Sequence, residues 1–286
     1  MKFIKLVRYD LQHGLFKRWK WHVGVVLMTI AFWLVFCIRV SAFNKGVVIT
    51  GTGSTVVPSF GDAVFYVFAG MSEYVPDPQQ TFTFPLVWML LYIVLFWMTL
   101  EYAHNDLTTT GQQFLFRTNG RTLWWFSKCI WDLCMVLSFF VVIWLTLLVL
   151  CLVSGCPISL TLHADLLQDS IPAAVTGPGY LTPLLLATFV MAPLVMFALS
   201  MLQMVLTLWV KPIVSFIVSI VILVASAYKL SPFLLGNYAM PVRNTAYYEA
   251  GVTNLNGAVF AVILIVVVAI AGAFRFRKYD VLPVDE

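Results

Sequence analysis

Apolar residues gather into six runs along the chain, each bounded by stretches that are polar, charged or rich in Pro and Gly. The runs are Trp21–Ser41, Phe84–Tyr102, Leu123–Val153, Thr182–Val210, Ile213–Tyr228 and Leu255–Phe274. A helix needs about 20 apolar residues to cross the hydrocarbon core of a bilayer, so each run is read as a transmembrane helix. This pattern predicts an all-α, polytopic membrane protein, with residues 21–286 forming one six-span domain. The third run is long for a perpendicular crossing and should tilt or protrude. Pro193 predicts a kink in the fourth run, and Lys211-Pro212 a tight turn into the fifth.

Residues 1–20 carry a different pattern. Ile4, Val7, Leu11 and Leu15 recur at helical spacing among Lys2, Lys5, Arg8, Lys17, Arg18 and Lys20. Such a lead is read as an amphipathic helix lying in the membrane interface, with a plain basic flank of the first span as the alternative. Between the first two spans, the patch Ala63–Ala69 is too short to cross and predicts a small helix on the outer surface. Ser154–Leu181 reads as a loop, and Lys229–Asn254 as a polar, aromatic connection longer than a passive turn requires.

Composition agrees with the runs. Hydrophobic residues make up 61% of the chain and charged residues 10%, against about 25% charged in an ordinary soluble domain. The net charge of +4 is therefore not a nucleic-acid footprint; what matters is where its cations lie relative to the membrane. With the N-terminus inside, 13 of the 17 lysines and arginines fall on or near the cytoplasmic side. Only Arg39, Lys45, Lys229 and Arg243 fall outside. The positive-inside rule thus predicts cytoplasmic N- and C-termini in the plasma membrane. Lys128 and Asp132, four apart inside the third span, are expected to pair with each other or to face a protein-lined interior.

Catalytic signatures are missing. The chain has no G-x-x-x-x-G-K-[ST] phosphate loop, no H-E-x-x-H and no G-x-S-x-G. His104 with Glu101 and Asp106 is a poor metal set at the end of a span, and Asp132 has no second carboxylate at its own depth in the sequence. An enzyme is not expected, nor a cofactor or metal bound by this chain.

The stretch Glu101–Lys128, EYAHNDLTTTGQQFLFRTNGRTLWWFSK, lies between the second and third spans. It resembles the cytoplasmic loop of type-2 ABC exporter permeases, which has an acidic start, a Gly, a short apolar helix, a basic residue and a Lys inside the next span. Gly111, Leu115, Arg117, Arg121 and Lys128 fit that pattern, while the run of several acids that often precedes the Gly is reduced to Glu101 and Asp106. The resemblance implies that Gly111, Gln112, Phe114, Leu115, Phe116, Arg117 and Arg121 form a coupling helix against a separate ATPase subunit, which would hold ATP and Mg. It also implies a second copy of the permease or a sister permease, and a pathway through the bilayer for an amphipathic or hydrophobic cargo. Short chains with six spans and no fused ATPase are similar to permeases of Gram-positive bacteria that export peptides, bacteriocins or antibiotics, or give immunity to them. In that family the connection before the last span closes the outer end of the pathway, which would make Asn237, Arg243 and Tyr247 outer-gate residues. A channel-like or accessory membrane protein without an ATPase is the alternative, although its pore would be expected to carry more polar rings than these spans supply.

Overall fold

The computed structural model describes residues 2–50, 55–74, 82–100, 102–107, 121–163, 166, 181–248 and 250–277. The described residues are helical almost throughout: α1 (Lys2–Asp10), α2 (Trp19–Thr50), α3 (Phe60–Phe68), α4 (Leu86–Leu100), α5 (Tyr102–Leu107), α6 (Arg121–Ser154), α7 (Leu181–Leu206), α8 (Pro212–Tyr228) and α9 (Asn254–Arg277). No strand is formed among them; Asn244 and Val252 pair in one isolated bridge.

Among the described residues, four helices are long and apolar enough to cross a membrane: the one running from Phe3 to Ile49, then α6, α7 and α9. Two shorter apolar helices, α4 and α8, complete the set. Their outward faces are apolar as well. Leu133, Leu137, Val141, Leu145 and Val149 line the exposed side of α6, and Val259, Val262, Ile263, Val266 and Ile270 that of α9. Helices apolar on every side belong in lipid, because no polar face remains to meet water.

The inward faces form one aromatic core. Trp88, Tyr92 and Phe96 of α4 meet Trp131, Phe139, Phe140 and Ile143 of α6 and Val195, Met196 and Leu199 of α7. The helix expected over Ala63–Ala69 is present as α3, but it is not laid on the surface. Ser59 and Asp62 close a capping box at its N-terminus, and Phe65 and Phe68 are buried, with the Phe68 ring stacked on Phe140 at 5.5 Å. An all-apolar face on a helix of only 9 residues is better buried against α6 than left in the interface.

Three other details go beyond the sequence pattern. The helix expected to end at Ser41 continues to Thr50. In α7 the ladder widens into a π turn over Ala187–Met191, directly before Pro193. The wide turn carries the chain past a ring that would otherwise clash with the carbonyl of Phe189. In α1 and the turn after it the buried positions are Leu6, Asp10 and Gly14, while Ile4 is exposed. The face turned inward thus carries an aspartate and a glycine rather than the aliphatic stripe.

Candidate functional site

Lys128, about two turns into α6, is completely buried. Its ammonium lies 2.5 Å from Asp10 Oδ1 and 2.6 Å from Asp106 Oδ2, and both carboxylates are themselves buried. Asp10 closes α1 and Asp106 lies in α5, so one cation joins three segments from distant parts of the chain. Neutral donors complete the cluster. Tyr102 Oη donates to Asp10 Oδ1 at 2.9 Å, Ser127 Oγ to Asp10 Oδ2 at 2.5 Å and Trp124 Nε1 to Asp106 Oδ2 at 3.2 Å. The Tyr102 and Trp124 rings flank the ammonium at 4.6 and 4.8 Å. Two carboxylates against one ammonium leave the cluster formally negative, and the donors spread that excess charge.

The approach of α1 is close. A Cβ on Gly14 would lie 2.3 Å from Trp131 Nε1 and 2.6 Å from the Tyr102 ring. Only glycine lets the turn after α1 reach α6 at this depth.

The pair expected between Lys128 and Asp132 is thus divided. Lys128 is taken by Asp10 and Asp106, whereas Asp132 accepts from Ser200 Oγ of α7 at 2.6 Å, and its Oδ2 has no donor among the described residues. Both side chains do face a protein-lined interior, as the alternative expectation had it.

A second buried cation lies in the connection before α9, where two 3-10 turns cover Leu235–Ala239 and Pro241–Arg243. Arg243 is 1% exposed and aims its guanidinium at the C-terminal end of α8. It donates to the carbonyls of Ser226, Ala227 and Lys229, to those of Met71 and Ser72 beyond α3, and to Asn237 Oδ1. The last carbonyls of a helix have no partner within it, and here one fork answers them. Burial lowers the Arg243 pKa to about 10, with Glu73 acting in the opposite sense, so the group stays charged near neutral pH. Asn237 is oriented by its own bonds to the Lys229 and Ser231 carbonyls at 3.1 and 2.9 Å. Of the three residues expected at an outer gate, Asn237 and Arg243 share one network. Tyr247 is elsewhere, against the Phe65 ring at 5.9 Å, where burial raises its pKa.

Gly111, Gln112, Phe114, Leu115, Phe116 and Arg117 lie outside the described residues. Arg121 is described: it opens α6 and donates to the carbonyl of Arg277, the last residue of α9, at 2.9 Å. The flanks of the stretch 108–120, α5 and the start of α6, meet at Asp106 and Lys128.

Residues 47–282 match the model of the family described as protein of unknown function, DUF2705. The chain belongs to the DUF2705 family. The match includes Asp106, Lys128, Asp132 and Arg243; Asp10 and Gly14 precede it. Neither a curated protein nor a solved structure matches the chain. Asp10 and Asp106 are the site residues that sequence reasoning missed. An acid buried at the end of a basic lead, and another in a polar loop, carry no sign of burial; the unpaired Lys128 was the one available pointer to them.

Proposed function

We propose that this chain is the transmembrane permease subunit of an ATP-driven exporter, carrying an amphipathic or hydrophobic cargo such as a peptide, bacteriocin or antibiotic. The observation that carries the reading is the Lys128 cluster. It clamps both flanks of the stretch 108–120 and the N-terminal helix onto the longest interior helix, α6. A force applied to that stretch by a partner ATPase would pass through the cluster into α6, and along α6 to the core beside α3, α4 and α7. In this reading α4 and α8 also cross the bilayer, giving six spans with both termini cytoplasmic. Their 15 and 17 residues rise about 23 and 26 Å, somewhat less than the hydrocarbon core, and local thinning accommodates the difference. Permeases of this kind work in pairs, so the assembly comprises two permeases and two ATPase subunits, with ATP and Mg held by the latter.

The decisive contact is Phe114, Leu115 and Phe116 in the groove of the ATPase, edged by Arg117. Leu115→Asp places a charge in that contact, and such a change costs several kcal/mol of association, about 2–5. Co-expression with its cognate ATPase tests it. The variant should insert normally, yet lose co-purification and cargo-stimulated ATP hydrolysis. Wild-type levels of both would remove the coupling assignment.

A further inference from the structure

Asp132 is fully buried, and among the described residues one of its oxygens has a donor, the Ser200 hydroxyl, while the other has none. One turn beyond Ser200 on the same helix, Gln203 gives its amide N–H to the Phe96 carbonyl at 2.9 Å and leaves its own Oε1 without a donor, also fully buried. Two buried acceptors thus stand without a donor among the described residues, Asp132 Oδ2 beside α7 and Gln203 Oε1 beside the bond that α7 makes to α4.

Among the described residues no cation is bonded to Asp132. Lys128, one turn earlier on α6, is already shared by two carboxylates. Among the ionisable groups facing this part of α6, Cys129 stands on its own helix and Tyr92 on α4. Asp10 on α1 is held by Lys128, Tyr102 and Ser127. His22 on α2 bonds Ser138 further along, and Asp62 on α3 is held by His163. Neither α7 nor α9 has an ionisable side chain between its first residue and Phe274. A lone carboxylate in such surroundings is costly, and neutralisation by a proton is the usual escape.

We propose that Asp132, Ser200 and Gln203 form a proton-binding site in the bundle core. Asp132 carries the proton on Oδ2, which makes that oxygen the donor Gln203 Oε1 lacks, while Oδ1 goes on accepting from Ser200. The proton thereby belongs to the α6–α7 seam, and opening the seam to water is the step that would release it. The site stands whether or not an ATPase drives the chain.

Infrared spectroscopy of the full chain in lipid nanodiscs near neutral pH tests this directly. With the aspartate side-chain carboxyls labelled with 13C, the wild-type spectrum should hold a protonated aspartic acid band that shifts on labelling and in deuterium oxide. Asp132→Asn should abolish the band and leave Tm unchanged, because the amide keeps the shape and the neutral charge. Gln203→Leu should move the band to higher frequency by removing its acceptor. Ser200→Ala should also shift it, and assigns the band even if Asp132→Asn does not fold. A wild-type spectrum with no protonated aspartic acid, as expected of a carboxylate kept charged by water, would overturn the proposal. So would a band that neither Ser200→Ala nor Gln203→Leu moves.

Discussion

Among the described residues two basic side chains are almost completely buried, and they are satisfied by opposite means. Lys128 is held by carboxylates from α1 and α5, with a serine, a tyrosine and a tryptophan sharing the negative charge. Arg243 is held mainly by main-chain carbonyls and one amide oxygen. The difference follows from the side chains. A compact ammonium is neutralised by charges brought to it, whereas a planar fork with five N–H groups can answer a set of carbonyls already fixed by a helix end. The first arrangement joins elements that can part, since ionic partners can be rehydrated on separation. The second fastens a connection to the end of α8 and closes it. That contrast predicts parting at the Lys128 end and closure at the Arg243 end. Around Asn237 and Arg243, any motion needs the whole network to break together.

The largest effect is expected from Lys128→Met. Two buried carboxylates lose their only shared cation, and breaking a buried ion pair from one side costs about 3–5 kcal/mol. Thermal unfolding in lipid nanodiscs should show a large fall in Tm. Neutralising the acids in the same chain, with Asp10→Asn and Asp106→Asn, should recover most of it. A Lys128→Met protein as stable as wild type would mean that the carboxylates, and not the lysine, organise this end.

Arg243→Lys sharpens the other side of the comparison, because it keeps the charge and removes the fork. An ammonium has three donors and cannot reach both the Met71–Ser72 carbonyls and the end of α8. Each buried carbonyl left without a donor costs about 1–3 kcal/mol. Hydrogen exchange of the amides over residues 226–243 should quicken while α6 keeps its protection. If lysine restores wild-type exchange, charge alone holds the connection, and the two cations are alike after all.

How much of this was legible depends on how far apart the partners lie. The apolar runs fix their helices locally, so α6 and α8 appear within two residues of their expected bounds. The inner site is non-local. Lys128 could be seen as a cation needing a partner, and Asp132, one turn away, was the nearest candidate in sequence. The true partners lie 118 and 22 residues away and are set by how α1 and α5 pack on α6. Burial of α3 was equally hidden, since a 9-residue apolar helix fits an interface as readily as a core until its neighbours are known. The capping box at Ser59 and Asp62 was a local signal, and the S-x-x-D spacing could have found it.

The smallest of these effects concerns how α1 gains access to the cluster. Asp10 reaches Lys128 only because the turn that follows α1 lies flat against Trp131 and Tyr102, and Gly14 is the point of contact. Alanine there adds one methyl group where the nearest atoms, the Trp131 indole nitrogen and the Tyr102 ring, are rigid parts of large side chains. Neither can yield without displacing its own neighbours, and the Tyr102 hydroxyl is already engaged with Asp10. Overpacking of this kind costs about 1–3 kcal/mol. The cost should fall on the docking of α1 and not on the bundle. Gly14→Ala should therefore speed amide exchange across Lys2–Asp10 and lower Tm modestly, with the α4–α6–α7 core unaffected. In a Lys128→Met background the same substitution should cost less, because the contact it disturbs serves a clamp that is already lost. Additive effects of the two substitutions would separate α1 docking from the charge cluster, and the Lys128 end would then be as passive a fastening as the Arg243 end.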